Sequence, residues 1–162
     1  MENIELDKMR NIFLLLLFPI LSFSQIETSL KLKVGILQNM INKGEEGETT
    51  FWQTKGKITF GIVNYTEAQN PVFKELFINQ FKELIPIFKK MNVSEDEKDT
   101  AEFVKIIIRQ EEDFRNLLTK EQLEKYLKQL ADFEVNNPKA NESYSSLFFS
   151  ENLLNLYKKS FK

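Results

Sequence analysis

The chain has 162 residues, a formal charge of −2 at pH 7, and neither Cys nor His. That absence excludes a His general base, Ser-His-Asp and Cys-His nucleophile systems, disulfides, haem ligation by His or Cys, and His/Cys zinc sites. Lys and Glu are mixed throughout, so no basic stripe tracks a phosphate backbone and nucleic acid is not an expected partner.

The chain opens with an export signal. Lys8 and Arg10 precede an apolar run from Ile12 to Leu21, and Ser22 and Ser24 supply small residues after it. A bilayer-spanning helix needs roughly 20 apolar residues, so this shorter run reads as a cleaved signal peptide over 1–24 and not as a permanent membrane anchor. Pro19 breaks the apolar helix, cleavage is expected after Ser24, and Met9 is an alternative start that would remove Glu2, Glu5 and Asp7 from the leader. Without Cys there is no lipidated anchor, so the mature chain is expected to be exported, periplasmic or extracellular, and free of the membrane. Residues 25–162 then form one helical domain whose fifteen Phe supply a core without disulfides.

Ile26, Leu30, Val34, Leu37 and Ile41 recur at steps of four and three, which predicts a helix over 27–42 stopped by Gly44. Residues 44–48 read as a solvated acidic loop; they lack the alternating ligands of a calcium loop, and no metal or cofactor is expected. Residues 50–66 are ambiguous. Phe51, Ile58, Ile62 and Tyr65 fit a helical stripe, yet Ile58-Thr59-Phe60-Gly61-Ile62 alternates as a strand does and suggests a β-hairpin. A lone hairpin has no sheet to join, so helix is the preferred reading.

Asn70-Pro71 reads as a helix start, and Phe73, Phe77, Phe81, Leu84, Phe88 and Met91 mark one face of a helix over 71–91, with Pro86 expected to kink or break it. Ser94-Glu95-Asp96-Glu97 is a capping box opening a fourth helix to about Leu117. Thr119 and Gln122 form another, opening a fifth that Asn136-Asn137-Pro138 ends; the short turn predicts antiparallel packing on the fourth. Ser150 caps a last helix carrying Leu154, Tyr157 and Phe161. The expected fold is all-α, a compact bundle of five to six helices.

Leu118-Thr119-Lys120-Glu121-Gln122 also resembles the Leu-Thr-x-x-Gln motif of small periplasmic helical proteins related to envelope-stress chaperones. In that family the motif occurs twice in a helical cradle. The resemblance implies a role in holding exposed apolar segments, and it covers five residues of this chain.

Three residues stand out as candidate contacts. Glu111 is the one acid inside an apolar stripe, flanked by Ile107, Ile108, Phe114 and Leu118; burial there would raise its pKa as a general acid requires, unless Arg115 partners it. Trp52, the only tryptophan, and its neighbour Phe51 are either a binding anchor or core rings. The Phe-rich faces of the third and last helices read as core before they read as a ligand pocket. Together these features point to a non-enzymatic binding module for a protein or an apolar ligand. The alternative is a small carboxylate-dependent enzyme using Glu111.

Overall fold

The structure, a computed structural model, describes residues 26–94 and 97–161. It is an all-helical bundle, and among the described residues there is no strand. A first helix, α1, covers 26–42. It is followed by α2 (Glu45–Val63), α3 (Gln69–Ser94), α4 (Glu97–Asn116), α5 (Lys120–Asn136), α6 (Pro138–Ser145) and α7 (Glu151–Ser160). The expected signal peptide and expected cleavage after Ser24 fall outside the described residues, as do Glu95 and Asp96 of the expected capping box at Ser94.

Residues 50–66 are not a hairpin: 45–63 are one helix. The acidic residues expected in a loop form its first turn, where Glu45, Glu46 and Glu48 suit the positive end of the helix dipole. Its buried face is Gly47, Phe51, Lys55, Thr59 and Val63, spaced every four residues. Two of those positions are polar, which is why the apolar pattern left the segment ambiguous, and the preferred helical reading is the one present. Thr59 answers its burial within the helix, donating its hydroxyl to the Lys55 carbonyl at 2.5 Å. Asn64, in the left-handed region at φ 51°, ends the helix and donates its N–H to the Phe60 carbonyl.

Gly47 decides how α1 and α2 meet. A Cβ at that position would lie 1.7 Å from the Met40 carbonyl oxygen, so only glycine permits this approach of the two backbones. Gly44, at φ +60°, makes the intervening turn.

α3 is central, packed between α2 and α4. Phe73, Phe77, Phe81 and Phe88 are all buried along it, and Pro86 is accommodated within an unbroken helix. Each such ring contributes about 1.5–3 kcal/mol by leaving water. Phe114 of α4 is the hub, with ring centroids 5.7 Å from Phe73, 5.8 Å from Phe77, 5.2 Å from Tyr126 and 6.2 Å from Phe148. The Phe faces expected to be core are core.

α5 packs chiefly on α2 and α6, and meets α4 through the Phe114 and Tyr126 rings and the hydrogen bond from Tyr126 to Glu111. Thr119 caps α5 with the full capping box, and Ser150 caps α7 by accepting from the Leu153 N–H at 3.1 Å. The unanticipated element is α6: Asn136-Asn137-Pro138 ends α5 and, at once, begins a further short helix, with proline in a first-turn position.

Candidate functional site

Where the inner faces of α1 and α2 meet the 146–149 segment and α4, the core is polar. Lys33, Lys55, Gln80, Gln110 and Glu111 are all buried there. Glu111 is 3% exposed; its Oε1 accepts from Arg115 Nε at 2.9 Å and from the Tyr126 hydroxyl at 2.7 Å. Arg115 reaches further, donating to the Phe149 carbonyl at 2.7 Å and to Glu151 at 2.8 Å. The sequence-level alternative of an Arg115 partner for Glu111 is therefore the arrangement present. Burial, then the charge of Glu111, pushes the Tyr126 hydroxyl well above the ordinary tyrosine range.

Lys55 donates to Gln80 Oε1 at 3.0 Å and sits over the rings of Phe51, Phe77 and Phe148. Gln80 and Gln110 each donate to the other's carbonyl, at 2.9 and 3.0 Å, tying α3 to α4. Lys33 places its ammonium 4.1 Å from the Phe149 ring centroid. Burial lowers both lysines, helped for Lys33 by the Lys55 charge and opposed for both by Glu111: Lys33 to about 7 and Lys55 to about 8. Lys33, Lys55, Glu111 and Phe51 line a cavity of about 30 Å³, as do Ser146 and Leu147. Its size suits a water or two.

Ser146 and Leu147 also form part of a much larger open groove of about 700 Å³ between α1, α2 and α6. Its apolar lining is Leu32, Ile36 and Met40 of α1, Ile58 of α2, and Tyr144 and Leu147, with Lys43, Asn39, Thr50 and Thr54 adding polar atoms. The large hydrophobic side chains exposed elsewhere among the described residues are few: Phe60, Val72, Leu117 and Val135.

Of the three residues singled out from sequence, Phe51 and Glu111 line the small cavity. Trp52 is apart from them, half-buried, with the Lys74 ammonium 4.6 Å from its ring centroid. Sequence reasoning missed Lys33 and Lys55. The available signal was polar residues in helical register with buried ones: Ile26, Ser29, Lys33 and Leu37 on α1, and Phe51, Lys55 and Thr59 on α2.

A second device joins two helix starts. Thr66 and Gln69 form a capping box ahead of α3: Gln69 N–H donates to the Thr66 hydroxyl at 3.3 Å, and Thr66 N–H to Gln69 Oε1 at 2.9 Å. This replaces the cap expected at Asn70. Thr119 and Gln122 make the same pair of bonds at 3.2 and 3.0 Å. The two glutamine amides then bond each other reciprocally, Gln69 to Gln122 at 3.1 Å and Gln122 to Gln69 at 3.0 Å. Tyr65-Thr66-Glu67-Ala68-Gln69 is thus a second Thr-x-x-Gln box, with Tyr where the Leu of the motif would stand.

Comparison with known families, with curated proteins and with solved structures finds no match to this chain. Among the described residues no helix is long and apolar enough to cross a membrane, and no group of three or more acidic side chains is placed to hold a metal ion.

Proposed function

We propose that this chain is an exported, non-enzymatic helical module that binds an apolar ligand in the groove between α1, α2 and α6. The observation that carries the proposal is the groove itself. Ligand sites are clefts of about 300–1,000 Å³ lined mainly by apolar side chains with a few polar groups, and this one, at about 700 Å³, has that size and lining. The other open groove among those described, of about 470 Å³, is lined mostly by charged side chains, Lys105, Arg109, Glu112 and Lys158, beside Ile108 and Phe161, so it suits an apolar ligand less well. The reading of Glu111 as an acid or base has less support, because its carboxylate is engaged by Arg115 and Tyr126. Titration with the neutral dye Nile red tests the proposal. Saturable binding that Ile36→Asp and Ile58→Asp both weaken at least tenfold is expected. Unchanged binding in both variants would place the dye elsewhere.

The paired Thr-x-x-Gln boxes favour a second, chaperone-like reading, in which the partner is an exposed apolar segment of another protein. The support is the likeness of Leu118-Thr119-Lys120-Glu121-Gln122 to the motif of the envelope-stress family, with the box at Thr66 and Gln69 as a partial second copy that lacks the Leu. Suppression of the aggregation of a heat-denatured client protein, at stoichiometric amounts, would favour this reading. No suppression at tenfold excess would remove it.

A further inference from the structure

The groove and the cavity lie back to back. On α1, Leu32 faces the groove and Lys33 the cavity; on α2, Thr54 faces the groove and Lys55 the cavity. Ser146 and Leu147 line both. The apolar trough and the two buried lysines therefore lie on adjoining faces of the same two helices.

Charge in this compartment is unbalanced. Among the described residues, the one buried carboxylate at the cavity is Glu111, and it is engaged by Arg115 and Tyr126. Lys33 and Lys55 face the space with π-faces beside them, and for Lys55 a neutral amide oxygen as well. Glu111 offsets both lysines only in part, and a buried charge that is not fully offset is unfavourable, so these lysines favour any anion able to reach them. A water-sized centre takes about 10–15 Å³, so the cavity of about 30 Å³ has room for two oxygens. A carboxylate has two.

We infer that groove and cavity form one bipartite site for a long-chain carboxylate, with the hydrocarbon chain along the groove and the carboxylate between the ammonium groups of Lys33 and Lys55. The inference rests on the groove being the ligand site proposed above, and it adds the ligand's head group. Chain and head are recognised by separate surfaces. The groove fixes affinity by burying hydrocarbon, and the lysines select the anion over an uncharged relative of the same shape. The head enters past Ser146 and Leu147, whose side chains must part to admit it. Bound carboxylate supplies the missing counter-charge, so both lysines remain protonated in the complex. Glu111 keeps its own partners and opposes the incoming anion, which limits the site to a singly charged head.

Fluorescence titration with cis-parinaric acid and with its methyl ester at pH 7 tests this on the purified protein. The acid is expected to bind at least tenfold more tightly than the ester. K33M and K55M, which keep an unbranched side chain one atom shorter while removing charge, are expected to bring the acid down to the ester's affinity, with far-UV circular dichroism confirming that both variants fold. Equal affinity of acid and ester for the unsubstituted protein would overturn the head-group assignment while leaving the groove proposal intact. Binding of neither probe would overturn both. A preference for the acid that survives both substitutions would show that the anion is held elsewhere, and would equally overturn the assignment.

Discussion

At the residue scale, the buried charges set how stability responds to pH. Lys33 at about 7 and Lys55 at about 8 both lie below the ordinary 10.5, so folding opposes their charged form. Between those folded values and 10.5 the unfolded chain holds protons that the folded chain has released. Stability must therefore rise with pH through that window, by up to about 1.4 kcal/mol per pH unit for each lysine, and the gain is absent below about pH 7 where both states are charged. Urea unfolding of the ligand-free protein at pH 7.5 and 9.0 should show the rise, and K33M should flatten its share of it; an unchanged slope in K33M would contradict the assignment. The Glu111–Arg115 pair behaves differently, because its charges answer each other. Arg115→Met leaves the carboxylate buried without its cation and should cost about 3–5 kcal/mol. Tyr126→Phe removes one neutral donor to a charged acceptor and should cost about 1.5–3 kcal/mol. Denaturant midpoints of the two variants give the comparison, and a Tyr126→Phe loss as large as that of Arg115→Met would reverse the ranking.

At the element scale, one glycine and two glutamines fix how helices meet. Gly47→Ala gains about 1 kcal/mol of helix propensity, but its Cβ falls on the Met40 carbonyl; a net loss of about 1–3 kcal/mol is expected from the forced separation of α1 and α2. Gly61→Ala in the same helix meets nothing within 4 Å and should stabilise by up to about 1 kcal/mol. Opposite signs in thermal unfolding are the prediction. The Gln69–Gln122 pair, which couples the start of α3 to the start of α5, should give an interaction energy of about 0.5–3 kcal/mol in a double-mutant cycle to alanine. Additive losses would mean that each glutamine serves only its own cap. The helices with apolar stripes and local caps were legible in sequence: Thr119-Gln122 and Ser150 cap where their spacing says they should. The inner faces of α1 and α2 were not legible, because Ser29, Lys33, Lys55 and Thr59 occupy core positions and a pattern built on apolar residues rotates past them. Thr66 escaped notice because Asn70-Pro71 advertises a stronger start four residues later. Of the candidate site, Glu111 showed itself as an acid in an apolar stripe. Its contact with Tyr126, from another helix, depends on tertiary packing that no local spacing encodes.

At the scale of the whole molecule, a core filled by Phe rings around α3 leaves the packing of α1 and α6 to shape the surface. α1 is held through polar and cationic contacts, Ser29 to the Ser145 carbonyl at 3.2 Å and Lys33 over Phe149, while its next row of side chains, Leu32, Ile36 and Met40, turns outward into the groove. An interior that accommodates two ammonium groups beside that groove is costly to stability, and the proposed binding gives the cost a use. The most direct measurement is paramagnetic broadening in the amide spectrum of the isotopically labelled protein, using a stearate spin-labelled midway along its chain. The account predicts selective loss of the signals of Leu32, Ile36, Met40, Ile58 and Leu147. Broadening centred elsewhere, or none at saturating probe, would contradict it.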